Sequence, residues 1–159
     1  LAAHHGERLK QAKKRARRRW TKTEIKTEIQ NCANPLVQMI YQFASKKGLH
    51  MQPGSGDSWS CRHQFTCDTG QRITILRQNA RELGIPGNLY NQRWLLGVSK
   101  EFLDQFIYRV CSNLPSECVK VTGGRSLCIR LNLYRITECQ VMQLCDCVAD
   151  FVDKCSWPK

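Results

Sequence analysis

Acidic residues and long apolar runs are both scarce in this sequence. Thirteen Asp and Glu stand against 25 Lys and Arg among 159 residues, which gives a formal net charge of +12. No stretch approaches the roughly 20 consecutive apolar residues that a transmembrane helix needs, so we expect no membrane span. Hydrophobic residues still make up 42% of the chain, which is enough for a modest core and argues against wholesale disorder.

Recognisable catalytic and cofactor motifs are also missing. The sequence contains no glycine-rich phosphate loop, no dinucleotide fingerprint and no convincing Ser-His-Asp arrangement. His63 lies between Cys61 and Cys67, where it could serve as the base for a cysteine nucleophile. A surface histidine beside a disulfide is the simpler interpretation. We therefore predict a protein without enzymatic activity and without a cofactor.

Positive charge is concentrated at the N-terminus. Residues 1–26 hold ten Lys and Arg and two Glu, a net charge of +8, whereas residues 27–159 carry +4. We predict a basic, flexible arm over residues 1–26 and a single cysteine-rich globular domain over residues 27–159. Since the chain opens at Leu1 without a Met or a signal peptide, we expect a mature or truncated form.

The strongest motif lies in the arm and has several interpretations. Its side chains are candidates for binding a polyanion or for proteolytic processing, and they are Lys13, Lys14, Arg15, Arg17, Arg18 and Arg19. Clustered Lys and Arg bind phosphates by releasing counterions, and such a run also serves as a nuclear import signal. Arg15-Ala16-Arg17-Arg18 is similar to the cleavage sites of secretory proprotein convertases, on pairs of basic residues. A solvated tail without a specific ligand is the remaining alternative.

Cysteine is unusually abundant. The ten cysteines are Cys32, Cys61, Cys67, Cys111, Cys118, Cys128, Cys139, Cys145, Cys147 and Cys155. Thiols are rarely so frequent in cytosolic proteins, while small oxidised domains use disulfides that contribute about 2–4 kcal/mol each. We therefore expect disulfides, with reduced structural thiols and metal ligation as alternatives. The paired Cys-x2-Cys spacing of many zinc sites is missing, so no metal site is predicted.

Hydrophobic periodicity predicts an α+β fold. Three segments show helical spacing behind the start signals Asn34-Pro35, Ser99 and Thr137. Residues 71–78 have the β-branched character of a strand, and Gly123-Gly124 predicts the turn of a β-hairpin. The expected architecture is three amphipathic helices packed on a small antiparallel sheet with a β-hairpin, stapled by disulfides.

The other segments carry weaker patterns. Residues 49–60 are predicted to be a loop, and Asn79 with Glu82 could cap a single helical turn. In the last helix, Cys145 and Cys155 fall on the apolar face, whereas we expect Cys139 and Cys147 on the opposite side. The second strand of the hairpin alternates in polarity, which predicts a basic face formed by Lys120, Arg125, Arg130 and Arg135.

The C-terminal cysteines carry one resemblance to a known family. A hairpin followed by a helix with Cys139, Cys145-Asp146-Cys147 and Cys155 resembles the C-terminal half of secreted phospholipases A2. The resemblance would imply calcium-dependent lipid hydrolysis. Residues 99–112 contain no His, however, and Val148 follows Cys147 where the family has Asp. We therefore predict at most a degenerate phospholipase that lacks this catalysis.

Two functional hypotheses follow. The first is a secreted, extracellular binding or signalling protein whose arm and basic face bind an acidic protein receptor or a sulfated glycan. The second is a basic structural subunit of a nucleoprotein assembly, such as an organellar ribosome or a capsid, whose arm binds nucleic-acid phosphates. Cysteine oxidation distinguishes them, because disulfides favour the first hypothesis and reduced thiols favour the second.

Overall fold

The computed structural model describes residues 18–116, 119–122 and 128–155. Within these ranges the chain forms five helices and six strands. The helices are α1 (Lys22–Asn31), α2 (Pro35–Lys46), α3 (Leu89–Leu96), α4 (Lys100–Ser112) and α5 (Glu138–Cys155). The strands are β1 (His50–Pro53), β2 (Ser60–Thr66), β3 (Arg72–Asn79), β4 (Glu82–Ile85), β5 (Val119–Thr122) and β6 (Cys128–Asn132).

The three predicted helices begin where the sequence supplies a capping side chain. Asn34 accepts a hydrogen bond from a backbone N–H of the first turn of α2, and Pro35 occupies a position whose N–H would have no helical partner. Ser99 caps α4 in the same way. At the start of α5, the backbone N–H groups of Thr137 and Gln140 each donate to the other residue's side chain. These helix starts are therefore confirmed.

The six strands form an antiparallel sheet in the order β1-β2-β3-β4-β6-β5. The first four strands follow one another along the chain, and α3 and α4 separate them from the pair β5 and β6. A bulge between His63 and Gln64 shifts the register of β2 against β3. The pairing of β5 with β6 confirms the predicted hairpin.

Helices cover one face of the sheet, and the other face is open. The strand side chains on the covered face include several that are at most 1% exposed, among them Leu76, Leu83, Ile129 and Leu131. α2 contacts this face directly, because the side-chain amide of Gln78 donates to the carbonyl oxygen of Val37 at 2.6 Å. The buried Phe151 of α5 stacks on two phenylalanine rings of α4 at centroid distances of 4.4 and 5.8 Å. The core therefore lies between the sheet and the helices.

The α+β class and the antiparallel sheet are confirmed, but the expected number of three helices is wrong. α1 and α3 are additional helices, and residues 49–60, predicted to be a loop, contain β1. The predicted helical turn at Asn79 is also wrong. The side-chain oxygen of Asn79 accepts the backbone N–H groups of Arg81 and Glu82, both at 2.8 Å, and closes a turn between β3 and β4. Asn favours both kinds of local structure, so long-range strand pairing decides between them.

The predicted disulfides are not found among the cysteines that the structure describes. Eight of them are free thiols: Cys32, Cys61, Cys67, Cys111, Cys139, Cys145, Cys147 and Cys155. Cys118 lies outside the described residues, and Cys128 begins β6. Cys61 lies in β2, Cys111 in α4 and four of the thiols in α5, while Cys32 directly follows α1 and Cys67 directly follows β2. Five of the eight are buried. The five buried thiols serve as small apolar side chains of the core. The predicted disulfide-stapled architecture is therefore wrong for these eight cysteines.

The two cysteines of α5 that are predicted to point away from the protein core differ in their exposure. Cys139 is exposed, as expected, but Cys147 is only 2% exposed. α5 contacts both α2 and α4, so its buried surface is wider than the apolar stripe of its sequence. The side-chain amide of Asn113 donates to the sulfur of Cys147 at 3.8 Å. Contact with a second helix therefore overrides the helical-wheel expectation.

Candidate functional site

Three exposed arginines lie in line across the open face of the sheet. Strand register places Arg62 opposite Arg77, Arg77 opposite Gly84, and Gly84 opposite Arg130. Paired residues of neighbouring strands project from the same face. Arg62, Arg77 and Arg130 therefore form one line across four strands, which we call the arginine row. The same line continues in β5 with the position of Lys120, opposite Arg130.

Alternation along the strands places the arginine row on the open face. Arg130 lies between Ile129 and Leu131, each 1% exposed, and Arg62 likewise lies between two buried residues of β2. Successive side chains of a strand point to opposite faces, so the buried neighbours direct the guanidinium groups into solvent. The reverse arrangement would bury unpaired charges, at a cost of several kcal/mol each.

The arginine row has no anionic partner within the described part of the chain. The ion pairs found there join other groups, for example Lys47 with Asp153 at 2.6 Å and Arg109 with Asp150 at 3.2 Å. Neighbouring strands lie about 4.8 Å apart, so Arg62 is roughly 5 Å from Arg77 in the backbone, and Arg130 lies roughly 10 Å beyond. Three guanidinium groups against the single carboxylate of Glu82 leave the cleft with an excess of positive charge, which creates a local site for an anion.

Gly84 leaves a gap in the middle of the arginine row. A cleft of about 440 Å³ opens there, and all three arginines line it together with Ser55, Ser60, Asn79 and Glu82. A Cβ atom at position 84 would lie 3.5 Å from the carbonyl oxygen of Ile129 and 3.8 Å from the Cβ of Arg77. Alanine would thus fit without a clash, but a larger side chain would occupy the space between the arginines.

A second line of side chains runs parallel to the arginine row. We call this second line the polar row. Each of its members stands on the same strand as Gly84 or an arginine of the arginine row, two positions away from it, and the four members are Ser60, Asn79, Glu82 and Asn132. Ser60 pairs with Asn79, and Glu82 pairs with Asn132. The turn described above holds Asn79 beside Glu82. Since a strand rises about 3.3 Å per residue, the two rows are separated by roughly 7 Å.

The end of the basic arm is fixed beside this cleft. Arg19 forms an isolated β-bridge with Ser55, which lines the cleft. The backbone N–H of Trp20 donates to the carbonyl of Gly54 at 3.2 Å, and its indole N–H donates to the carbonyl of Gly56 at 2.9 Å. The guanidinium of Arg18 lies 4.0 Å above the Trp20 ring and pairs with Glu24. The backbone of Arg19 and Trp20 therefore lies at the rim of the cleft.

The predicted basic residues are only partly brought together. Arg18 and Arg19 are exposed near the cleft, while Lys13, Lys14, Arg15, Arg17 and Arg125 lie outside the described residues. Arg130 belongs to the arginine row, and Arg135 is exposed in the segment after β6. Sequence reasoning missed Arg62 and Arg77. In the structure each lies between two buried residues, but β3 is buried at four successive positions and offers no alternating pattern in the sequence. Only the strand register shows that the two arginines are neighbours.

The candidate nucleophile and base form a buried network instead of an open site. His63 and Cys61 are each 1% exposed, so the expectation of a surface histidine beside a disulfide is wrong. The Nε2 atom of His63 lies 2.8 Å from the side-chain oxygen of Gln78 and 3.8 Å from the sulfur of Cys61. Burial raises the pKa of the Cys61 thiol to about 12 and lowers the pKa of His63. A protonated thiol is a poor nucleophile, so this arrangement supports packing more than catalysis.

The other described cysteines offer no stronger chemistry. Burial raises the pKa of Cys145 and of Cys155 to about 12, with further contributions from the charges of Asp146 and Cys67 respectively. Within the described ranges, no three His, Cys, Asp or Glu residues converge as a metal site would require. The arginine row and the polar row on the open sheet face therefore remain the main candidate site.

Comparison with known proteins gave no relative. The chain matches no protein family model, and no curated protein or solved structure is significantly similar to it. None of the helices within the described ranges is both long and apolar enough to cross a membrane.

Proposed function

We propose that this protein is a non-enzymatic nucleic-acid-binding protein in which the arginine row and the basic arm bind the phosphate backbone. The observation that carries the proposal is the row of three exposed arginines, which have no anionic partner among the residues that the structure describes. Guanidinium groups form bidentate, charge-assisted hydrogen bonds with phosphate oxygens. Arg19 and Ser55 join the arm to the same cleft, so arm and sheet face can contact one continuous polyanion.

Nucleic acid is favoured over an extracellular ligand by the state of the cysteines. The secretory hypothesis depended on disulfides, and the eight described cysteines are free thiols. Secretion, and binding of an acidic receptor or a sulfated glycan, stay predictions of the first hypothesis. A structural role in a nucleoprotein assembly stays a prediction of the second, and it is compatible with the proposed binding.

The test is a binding titration of the full chain with a fluorescein-labelled mixed-sequence oligonucleotide of about 20 nucleotides. Replacing Arg77 with Gln should weaken binding about fivefold, since an exposed charge-assisted contact contributes about 1 kcal/mol. The combined replacement of Arg62, Arg77 and Arg130 with Gln should weaken it about 100-fold. Each lost contact should also reduce the slope of log K against log salt by roughly 0.7–0.9.

A charge-matched control distinguishes the site from general positive charge. Lys154→Gln removes one exposed positive charge from α5, on the helical side of the molecule, and should change affinity less than twofold. Equal losses for Lys154→Gln and Arg77→Gln would refute a binding site at the arginine row. Heparin serves as a competitor, and binding of heparin at least tenfold tighter than the oligonucleotide would favour the sulfated-glycan hypothesis.

A further inference from the structure

We propose that the polar row recognises the base edges of a single-stranded nucleic acid whose phosphates lie on the arginine row. This inference rests on the proposed function and names its ligand class. It starts from the position of the row, which runs parallel to the arginines at roughly 7 Å on the same face. A strand laid along the arginine row would place its bases to one side, and on this side they meet Asn79, Glu82 and Asn132.

Hydrogen bonds fix which groups of the polar row remain available. The side-chain oxygen of Asn79 accepts two backbone N–H groups at 2.8 Å, and the side-chain oxygen of Asn132 accepts the N–H of Tyr134 at 2.9 Å. Because the oxygens are used in this way, the NH₂ groups of both amides stay free to donate. Local hydrogen bonds also hold both amides in place before a ligand arrives, which reduces the entropy lost on binding.

Glu82 lies between these two donors and is the feature that a phosphate site does not explain. Its side chain is exposed, lines the cleft and has no hydrogen-bond or ion-pair partner within the described ranges. A carboxylate repels a phosphate, so its place beside three arginines calls for a ligand that also brings an N–H donor. Nucleobases supply such donors on their edges, and Glu is known to accept from the amino group of cytosine.

The same groups of the polar row indicate whether the nucleic acid is single-stranded or a duplex. In a duplex, the Watson–Crick edges are already hydrogen-bonded, whereas unpaired bases can present them to a protein. The polar row offers donors and an acceptor in fixed order along a nearly straight line: amide, carboxylate, amide. Single-stranded nucleic acid is therefore the ligand that satisfies both rows at once.

The experiment measures affinities of the full chain for labelled homopolymers of A, C and U of about 15 nucleotides, and for a mixed sequence as single strand and as duplex. We expect the single strand to bind at least tenfold tighter than the duplex. Among the homopolymers we expect the tightest and the weakest affinity to differ by at least fivefold, and we call this ratio the spread. Glu82→Gln should raise affinity overall, because a negative charge is lost, and should reduce the spread to less than twofold.

Two further variants separate recognition from charge and from folding. Glu101→Gln removes an exposed carboxylate from α4 and should leave the spread unchanged. Asn132→Asp keeps the oxygen that accepts from Tyr134 but removes the free NH₂ group, so it should alter base preference with little change in melting temperature. Gln143→Glu on α5 adds the same charge elsewhere and serves as its control.

The possible failures are distinguishable. Duplex binding as tight as single-strand binding, or a spread that Glu82→Gln leaves intact, would overturn base recognition while the arginine row stays a phosphate site. Absence of binding to every oligonucleotide would overturn both proposals.

Discussion

Acidification is expected to destabilise the protein through His63. In the folded state this imidazole is 1% exposed, and burial lowers its pKa despite the hydrogen bond to Gln78. In the unfolded chain its pKa returns to about 6.5. Below that pH the unfolded state binds a proton more readily than the folded state does. The free energy of unfolding therefore falls as the pH falls.

The magnitude follows from proton linkage. Between pH 7 and pH 5.5, a histidine with an unfolded-state pKa of about 6.5 lowers the free energy of unfolding by at most about 1.3 kcal/mol, the limit in which the folded state binds no proton. The neighbouring groups add little in this window. Burial raises the pKa of the Cys61 thiol to about 12, so this neighbour stays protonated throughout the window. A loss of about 1.3 kcal/mol is large against a total stability of about 5–15 kcal/mol.

The assay is urea unfolding followed by circular dichroism, for the natural chain and for His63→Gln, at about pH 7 and pH 5.5. Gln can retain a hydrogen bond with Gln78 but does not titrate, so over this interval the variant should lose less stability than the natural chain, by up to about 1.3 kcal/mol. Burial and two positive neighbours also lower the pKa of His50, but His50 is present in both proteins and cancels in the difference. An identical pH dependence in the two proteins would refute the buried, neutral state of His63.

Three further predictions concern reactivity and packing. Peptide-resolved alkylation of the native protein should modify the exposed Cys139 at least 100-fold faster than the fully buried Cys155, and comparable rates would contradict the packing of α5. Thr137→Ala should lower the free energy of unfolding by about 1 kcal/mol, because it removes the cap of α5, and an unchanged urea midpoint would contradict the capping box. Phe151→Ala should cost about 3–5 kcal/mol, while Tyr108→Ala, at 73% exposure, should cost less than about 0.5 kcal/mol, and similar losses would contradict the position of the core.

Local signals were sufficient to predict the helices with strong caps and the hairpin. Asn34-Pro35 and Thr137 act within one helical turn, so the sequence around them contains the information that is needed. The turn at Asn79 was misassigned because the same side chain can serve a helix cap or a strand turn. The pairing of β4 with β6 favours the strand turn over the helix cap, and β6 lies far away in the chain.

The candidate site was harder to predict for the same reason. Arg130 was predicted as part of a basic face, but Arg62 and Arg77 join it only through the register of strands that are separated in sequence. Gly84 carries no chemical signal of its own, although it opens the cleft between the arginines. The cysteines misled the prediction because composition alone cannot distinguish a thiol used as a small core residue, such as Cys147, from one destined for a disulfide.

The arginine row has a consequence for folding as well as for binding. A slip of β6 by one residue would turn Arg130 toward the helices and expose Ile129 and Leu131, which are each 1% exposed now. Burial of that guanidinium without a partner would cost several kcal/mol, so the charge excludes the shifted pairing. Arg130→Leu would remove this penalty and allow both registers to compete. The same charge that is available to a ligand thus defines how the last strand joins the sheet.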